Sequence, residues 1–341
     1  MIKSVNIRDK IIGKGYSTFF IAEMACAHQG DLNQAIDLID VAAKANADAV
    51  QLQIINRELY CSPKYKDYDE YGQLEFSPEE WSKIIDAIKE KNLLFFAAGY
   101  DVSSIQLSIE KKVDAFKLHS ADLSNPEILT AVGKSKKPVF LSTGASRVNE
   151  IRKAIDILKK NSTEEIVLMH GYQAFPTTIE DTHLNFIKTL KKIYGLNIGF
   201  YDHVDGGSNL AKLIPIMAIG YGAQVIEKHF ILTRLDKGID YESSLDKESF
   251  IEFGKILREC EKAIGKKQIR DFTEGEIWYR AYCKKNVVTW QDISKGTKIN
   301  REHVRFLRSD PGIPPNEFDK IEGRIANKDI KKYKNLSYDD F

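Results

Sequence analysis

The chain has 341 residues, of which 43% are hydrophobic and 29% are charged, and its formal net charge is +1. A chain longer than about 300 residues favours one large domain with a smaller second one. Because 50 basic residues balance 49 acidic ones, the composition provides no overall field for nucleic acid or an anionic membrane, and we predict neither as a partner. Any anionic ligand must be held by a local cluster of side chains.

The first residues alternate charged and apolar side chains and lack the apolar core of a signal peptide. No run reaches the roughly 18 apolar residues of a membrane span. The cysteines form no CxxC pair and are typical of free thiols in a reducing compartment (Cys26, Cys61, Cys260 and Cys283). These features predict a cytoplasmic protein in which Cys26, the cysteine nearest the candidate site, is a buried filler rather than a nucleophile.

Short runs of β-branched and aromatic residues recur along the first two-thirds of the chain, each followed by a helical pattern. Several are almost continuously apolar, as expected of parallel strands covered on both faces. The predicted strands are Phe19–Ala25, Ala49–Ile55, Leu94–Tyr100, Ala115–Ala121, Pro138–Gly144, Ile166–Tyr172, Asn197–His203 and Ala223–His229.

Helix signals lie between these strands. Asp31 can cap one helix, and Ser77-Pro78-Glu79-Glu80 combines a cap, an early proline and a capping-box glutamate. Arg147–Lys160 and Asp246–Ile264 show helical spacing of apolar residues. The repeated strand–helix units predict a closed (β/α)8 TIM barrel of roughly 250 residues. An open doubly wound sheet is the alternative, although no dinucleotide-binding fingerprint is present.

The connection Asn56–Phe76 is too long for a bare link and holds Tyr60, Tyr65, Tyr68 and Tyr71. Such loops are functional lids or disordered segments, and the tyrosines favour a lid that closes over a ligand. After about residue 275 the pattern changes to short strands and turns. We predict a barrel over residues 1–275 and a small β-rich domain over residues 276–341.

Polar residues stand at the ends of most predicted strands, where the loops of a barrel enzyme converge on its active site. Buried polar groups are costly unless paired, so their shared placement indicates a site. They are Glu23, Gln51, Gln53, Lys117, Ser120, Asp122, Ser142, Thr143, His170, Gln173, Asp202, His203, Glu227, Lys228 and His229.

Three groups among them suggest chemistry. His203 and His229 end adjacent strands and can reach one divalent cation; the alternative for each is a hydrogen-bonded core histidine. Lys117, Ser120, Ser142 and Thr143-Gly144 can form an anion cradle, although serine and threonine before a strand-ending glycine are also common turn formers. Glu23 can act as an acid or base, or form a buried salt bridge to a lysine such as Lys117 or Lys228.

Taken together, several motifs resemble the sialic acid synthase family, which includes the legionaminic and pseudaminic acid synthases. Asp292-Ile293-Ser294-Lys295-Gly296 and Leu307-Arg308 resemble its C-terminal SAF (antifreeze-like) domain. The barrel motifs are Ile21-Ala22-Glu23, His28-Gln29-Gly30, Phe116-Lys117-Leu118-His119-Ser120, Leu141-Ser142-Thr143-Gly144, Asp202-His203 and Ile226-Glu227-Lys228-His229-Phe230.

The resemblance implies a Mn²⁺- or Mg²⁺-dependent condensation of phosphoenolpyruvate with an aldehyde amino sugar. It also implies a homodimer in which the small domains are swapped. It assigns metal binding to His203 and His229, orientation of the bound species to Glu23, and a catalytic position to Asp122, where glutamate is common. The resemblance also implies positions for substrate binding. Those for phosphate are Lys117, Ser120, Ser142 and Gln173, and those for the sugar are Gln53 and Asp240. Gln51 occupies a position that contacts the donor, and Arg308 one that reaches into the partner subunit's site.

The chain departs from the family pattern where the donor's carboxylate is expected. Gln51 stands in place of a usual lysine, and Ala97-Ala98-Gly99 replaces a usual Ser-Thr-Pro run. Phe175 and Tyr241 replace a common tyrosine and a common histidine. A different phosphorylated donor, a metal-dependent aldolase and a non-catalytic sugar-binding barrel therefore stay open as alternatives.

Overall fold

The computed structural model describes residues 2–265 and 269–341. An antiparallel hairpin of β1 (Val5–Ile7) and β2 (Lys10–Ile12) comes first. Eight parallel strands then close into a barrel in chain order, with the last strand pairing with the first. The prediction of a TIM barrel is confirmed, and the open sheet is wrong. The barrel strands are β3 (Phe19–Ala25), β4 (Ala49–Ile54), β5 (Leu94–Gly99), β6 (Ala115–Leu118), β7 (Val139–Ser142), β8 (Ile166–His170), β9 (Asn197–Asp202) and β10 (Val225–His229).

The helices between the barrel strands begin where the sequence signals indicate. Asp31 accepts hydrogen bonds from the N–H groups of Asn33 and Gln34, and Ser77 forms its capping box with Glu80. No helix in the described ranges combines the length and apolarity that a membrane crossing requires. The helices are α1 (Leu32–Lys44), α2 (Arg57–Tyr60), α3 (Tyr68–Gln73), α4 (Pro78–Glu90), α5 (Val102–Glu110), α6 (Pro126–Lys134), α7 (Val148–Lys160), α8 (Phe186–Tyr194), α9 (Leu210–Gly220), α10 (Lys247–Ile264) and α11 (Glu274–Tyr282).

Strand side chains alternate between two cores. One set packs outward against the helices. The other fills the barrel, where the Phe96 ring lies 5.6 Å from that of Phe19 and 4.8 Å from that of Phe140. Phe19 precedes Glu23 by four residues on the same inward face of β3. The interior is therefore apolar at the N-terminal ends of the strands and polar at their C-terminal ends.

The long connection after β4 is ordered as α2 and α3 rather than as a bare loop. The turn after β3 packs against it at Gly30, which has a φ of 76° and no room for a Cβ beside the carbonyl oxygen of Gln73. Only glycine suits both conditions. The tight packing holds the segment next to the end of the first barrel strand.

The second unit has its own core. Strands β11 (Lys285–Thr289) and β12 (Val304–Arg308) pair antiparallel. Isolated β-bridges, such as that between Ile293 and Ile330, link the loops that follow, and both residues belong to the buried cluster of this unit. The sequence-based boundary at 275/276 falls inside α11, whereas the contacts divide the chain after Gly265. Sequence reasoning missed α11 because its apolar side chains are exposed and leave no buried stripe.

Asp340 is the buried carboxylate of this second unit. It accepts hydrogen bonds from the Ser337 N–H and the Lys334 ammonium, both at 2.8 Å, and Lys328 Nζ lies 2.9 Å away. Burial alone would raise the pKa of Asp340, but these bonds outweigh it and lower the pKa to about 2. The ionised carboxylate therefore stabilises the unit above its unfolded pKa of about 3.9, and this contribution fades as the pH falls through 2.

We expect Asp340→Asn to lower the free energy of unfolding by about 1–2 kcal/mol at pH 7, because hydrogen bonds to an ionised group are lost. Hydrogen exchange of the second unit in the full-length protein measures this. The difference in the free energy of unfolding between Asp340→Asn and wild type should shrink as the pH falls towards 2. Asp339→Asn, at the exposed neighbouring position, is the matched control. An equal loss of stability in both variants, or a loss that does not depend on pH, would contradict the stabilising role of the ionised Asp340 carboxylate.

Candidate active site

Most of the predicted site residues line one cavity of about 480 Å³ at the C-terminal ends of the barrel strands. The cavity thus lies where the loops of a barrel enzyme converge. The predicted residues that line it are Gln53, Lys117, Ser120, Ser142, Gln173, His203, His229 and Asp240. Tyrosines from the long segment after β4, together with Glu227 and Tyr201, complete much of the remaining wall.

Two buried ion pairs lie at the base of the site. Lys117 pairs with Glu227, and Lys228 Nζ lies 2.5 Å from Asp202 Oδ2. All of these side chains are at most 3% exposed. The alternative that Glu23 neutralises one of these lysines is wrong, because each lysine has another carboxylate.

The two histidines lie side by side, with ring centroids 5.0 Å apart. Nδ1 of His203 lies 2.8 Å from the carbonyl oxygen of Tyr172. A carbonyl only accepts hydrogen bonds, so Nδ1 carries the proton and Nε2 presents a lone pair. Nδ1 of His229 is buried without a hydrogen-bond partner in the described part of the chain, and Asp240 Oδ2 is 3.9 Å away.

Both imidazoles are neutral. Burial lowers the pKa of His203 to about 3, and the nearby Lys228 and Lys117 add to the effect. Burial also lowers the pKa of His229 well below its ordinary value, with His203 and the same lysines contributing. Neutral imidazole is the form that binds a metal ion.

Glu23 is positioned by an irregularity at the end of β3. The register of β3 against β4 shifts between Glu23 and Ala25, and Ala25 has a φ of 45°. The Ala25 N–H consequently donates to Glu23 Oε1 at 2.8 Å, and Gln53 Nε2 donates to the same oxygen at 3.3 Å. Oε2 has no partner among the described residues. Burial raises the pKa of Glu23 well above its ordinary value, Glu227 raises it further and Lys117 opposes the shift.

Hydroxyl and amide donors converge on the opposite side of the cavity. Gln173 Nε2 donates to Ser120 Oγ at 2.9 Å and lies 3.2 Å from the Tyr201 hydroxyl. That hydroxyl donates to the Gly171 carbonyl at 3.0 Å. A Cβ at Gly144 or Gly171 would collide with Tyr201, so both glycines allow the ring its place.

Three tyrosines form a separate wall of the cavity, which we call the tyrosine wall: Tyr60, Tyr71 and Tyr100. The Tyr60 ring centroid is 4.9 Å from that of Tyr71 and 4.6 Å from that of Tyr100. The Tyr100 hydroxyl lies 3.2 Å from Nε2 of His119. The segment predicted as a lid therefore supplies Tyr60 and Tyr71 to the cavity, while its movement stays a prediction. Cys26 also lines the cavity, and burial raises the pKa of its thiol, which fits a protonated filler.

Four predicted residues do not line the cavity. Glu23 and Gln51 are buried in the barrel interior, and both polar atoms of Gln51 lack partners among the described residues. Asp122 accepts a hydrogen bond from Asn125 at 3.1 Å. Arg308 is exposed in the second unit, in a cleft with Tyr282, Asp310 and Tyr333. Its role towards a partner subunit stays a prediction.

Sequence reasoning named Glu227 among the polar residues at strand ends but missed Tyr201. Tyr201 precedes the site histidine His203 by two residues, as Glu227 precedes His229. Side chains two apart on a strand face the same side. Strand alternation could therefore have placed Tyr201 in the cavity as well.

The donor set fits a divalent cation that keeps open positions. The described residues contain no group of three or more His, Cys, Asp and Glu side chains placed to hold a metal ion. His203 and His229 nevertheless offer two neutral imidazoles, and His229 has an orphaned buried nitrogen. A metal held by few protein ligands takes the rest from substrate and water, as catalytic sites do.

Comparison with known proteins supports the resemblance. Residues 38–269 match the NeuB family, and residues 285–341 match the SAF domain. An uncharacterized protein of Methanocaldococcus jannaschii is 33% identical over 340 residues, which is 99% of each chain. A pseudaminic acid synthase of Campylobacter jejuni is 30% identical and covers 95% of this chain and 96% of its own.

A solved structure gives the same result. The N-acetylneuraminic acid (sialic acid) synthetase of Leptospira borgpetersenii is 32% identical, with a TM-score of 0.75, over 82% of this chain and 97% of its own. Because the named relatives are synthases, the prediction of an enzyme is confirmed. The NeuB match spans most of the barrel and the SAF match spans the C-terminal region. The chain therefore belongs to the NeuB family of sialic acid synthases and carries a SAF domain.

Proposed function

We propose that this enzyme condenses phosphoenolpyruvate with an aldehyde amino sugar in a reaction that requires Mn²⁺ or Mg²⁺. The product is a 2-keto-3-deoxy sugar acid of the nonulosonic type, and phosphate is released. The observation that carries the proposal is that one cavity joins two neutral histidines to a lysine, two serines and an amide donor. A homodimer belongs to the proposal on the resemblance alone. The free cysteines fit a cytoplasmic location.

The charges of the cavity support a metal requirement. Of the described residues that line it, Lys117 is cationic, and Glu227 and Asp240 are anionic. Burial raises the pKa of Asp240 to about 6, with Glu242 adding to the shift, so it is mostly ionised at pH 7. Phosphoenolpyruvate brings a carboxylate and a phosphate of about −1.5 to −2 charge. A cavity lining with net negative charge would repel this donor unless a cation is added.

The reaction joins carbon 3 of the enol phosphate to the aldehyde carbon, and the aldehyde oxygen takes up a proton. Water then adds to carbon 2, and the carbon 2–oxygen bond to phosphate breaks. A divalent cation on His203 and His229 supplies Lewis acidity for the aldehyde. Ser120, Ser142 and Gln173 can hold the phosphate through directed donors, so that two reactants are aligned. Glu23 can hold a proton at Oε2, since its raised pKa favours the protonated form.

The donor's carboxylate is the part of the proposal that departs from the family pattern. Gln51 and Ala98 are almost fully buried, and neither supplies a charge. A charge-assisted hydrogen bond contributes about 1.5–3 kcal/mol. Losing one without replacement weakens binding roughly tenfold to a hundredfold. We propose that phosphoenolpyruvate remains the donor because the phosphate side of the cavity is intact.

The first prediction concerns the metal. The double variant His203→Ala, His229→Ala should bind Mn²⁺ more than about tenfold more weakly than wild type, because it lacks both imidazole ligands. Titration of free Mn²⁺ by electron paramagnetic resonance measures this without relying on turnover. His183→Ala, which removes an exposed histidine outside this cavity, is the control. Full retention of Mn²⁺ by the double variant would exclude these ligands.

The second prediction concerns the donor. Purified enzyme with Mn²⁺ should release phosphate from phosphoenolpyruvate when an acylated amino-sugar aldehyde is present. Gln51→Lys with Ala98→Thr should lower the half-saturating donor concentration roughly tenfold, because it restores a cation and a hydroxyl. Gln51→Leu with Ala98→Thr controls for loss of the orphaned amide.

Four outcomes would contradict this prediction. Tight binding that both changes leave untouched would mean that these positions do not contact the donor. Turnover with a different phosphorylated donor, but none with phosphoenolpyruvate, would mean that phosphoenolpyruvate is not the donor. Carbon–carbon cleavage or formation without phosphate release would favour an aldolase. Sugar binding without any turnover would favour a non-catalytic barrel.

A further inference from the structure

Tyr201 contacts both halves of the candidate site. Its ring centroid lies 5.2 Å from that of the His203 imidazole and 5.2 Å from the Lys117 ammonium. Its hydroxyl lies 3.2 Å from Gln173 Nε2, which also donates to Ser120. The histidine belongs to the proposed cation site, whereas the lysine, the glutamine and the serine belong to the proposed phosphate site. A single side chain therefore connects the two.

Two glycines leave the space that the Tyr201 side chain occupies. A Cβ at Gly171 would collide with carbons of the ring, and a Cβ at Gly144 would collide with the hydroxyl oxygen. Neither glycine has a φ in the left-handed region that favours this residue type. The absence of a side chain at both positions is therefore explained by the room that Tyr201 takes up. Only 2% of Tyr201 is exposed, so the ring is enclosed on all sides.

Three neighbours hold the His203 imidazole. Its Nδ1 lies 2.8 Å from the carbonyl oxygen of Tyr172. Its ring packs against that of Phe175, with centroids 4.2 Å apart, as well as against that of Tyr201. Phe175 is 47% exposed, whereas Tyr201 is buried and has no solvent to turn into. Tyr201 is thus the firmer of the two aromatic contacts that orient Nε2, the nitrogen available to a cation.

The Tyr201 ring also gives the Lys117 ammonium a favourable position. An aromatic face carries negative electrostatic potential and attracts a cation. Lys117 pairs with Glu227 as well, so the ammonium has two anchors. The charge of Lys117 acts on His203, where it contributes to the lowered pKa of the imidazole. The same charge would oppose a divalent cation on His203 more strongly if the ammonium moved closer.

We propose that Tyr201 is a positioning residue that serves both halves of the site. Its ring fixes the His203 imidazole for the divalent cation and keeps the Lys117 ammonium in place, while its hydroxyl fixes the Gln173 amide beside the phosphate. The inference rests on the proposed function, because the cation and the phosphate are those of the proposed reaction. Tyr201 acts through its neighbours and needs no contact with the reacting atoms.

Two substitutions separate the role of the ring from that of the hydroxyl. Tyr201→Phe keeps the ring, so the Kd for Mn²⁺ should stay within roughly twofold of the wild-type value. In its Mn²⁺-loaded form this variant should bind phosphoenolpyruvate about threefold to tenfold more weakly, which is the range expected for one neutral hydrogen bond. Tyr201→Met fills the space without an aromatic face. It should weaken Mn²⁺ binding about tenfold or more, because a neighbour that orients a metal ligand is lost.

Electron paramagnetic resonance measures Mn²⁺ binding, and calorimetry measures binding of phosphoenolpyruvate. The same two substitutions at Tyr194 are the matched control. The Tyr194 hydroxyl donates to the Val148 carbonyl at 2.8 Å, and the Tyr194 ring lies 5.4 Å from the Arg152 guanidinium, but this side chain does not line the cavity. Neither control variant should change either affinity. Thermal melting shows whether each variant is folded, and Tyr201→Leu is a second variant without the ring.

Three results would overturn the proposal. Mn²⁺ binding as tight as in wild type by the folded variants without the ring would exclude the role of the ring. Donor binding as tight as in wild type by Tyr201→Phe would exclude the role of the hydroxyl. An equal loss of Mn²⁺ affinity in Tyr201→Phe and Tyr201→Met would mean that the ring does not position His203. Because both measurements are of binding, a protein that shows the expected affinities but releases no phosphate from phosphoenolpyruvate would disprove the proposed function and leave this inference standing.

Discussion

The site depends on the cost of keeping charge inside a closed barrel. Lys117, Glu227, Lys228 and Asp202 are all buried, and removing such groups from water costs several kcal/mol each. Direct pairing offsets part of that cost. Each of these lysines therefore already has a carboxylate partner. Burial, with the neighbouring lysines, lowers the pKa of both histidines and keeps them in the neutral form that can bind a metal ion.

The same constraint explains how the barrel is divided. Aromatic rings such as Phe19 and Phe96 fill the end where the strands begin, so the polar layer is confined to the other end. Strand alternation then brings Tyr201 with His203, and Glu227 with His229, into one cavity. The strands and their ends supply the charged and polar groups, whereas the segment after β4 supplies Tyr60 and Tyr71 of the tyrosine wall. The barrel strands and the segment after β4 thus contribute different kinds of side chain to one cavity.

The barrel could be predicted because its strands are nearly continuous apolar runs and its helices have distinct caps, as at Asp31 and Ser77. The histidine pair and the donors of the cradle could be predicted from their positions at strand ends. The ion-pair partners of the buried lysines could not be predicted, because periodicity does not reveal that Lys117 pairs with Glu227 rather than with Glu23. The catalytic role of Asp122 stays a prediction, since its carboxylate accepts a hydrogen bond from Asn125 and does not line the cavity.

The central claim is that the cavity binds its anionic donor only together with a divalent cation. Calorimetric titration of phosphoenolpyruvate into metal-free and Mn²⁺-loaded protein tests it most directly. We predict that Mn²⁺ tightens donor binding by at least about a hundredfold, and that the donor tightens Mn²⁺ binding by the same factor, as linkage requires. Equal affinity of phosphoenolpyruvate for the metal-free and the Mn²⁺-loaded protein would contradict the account.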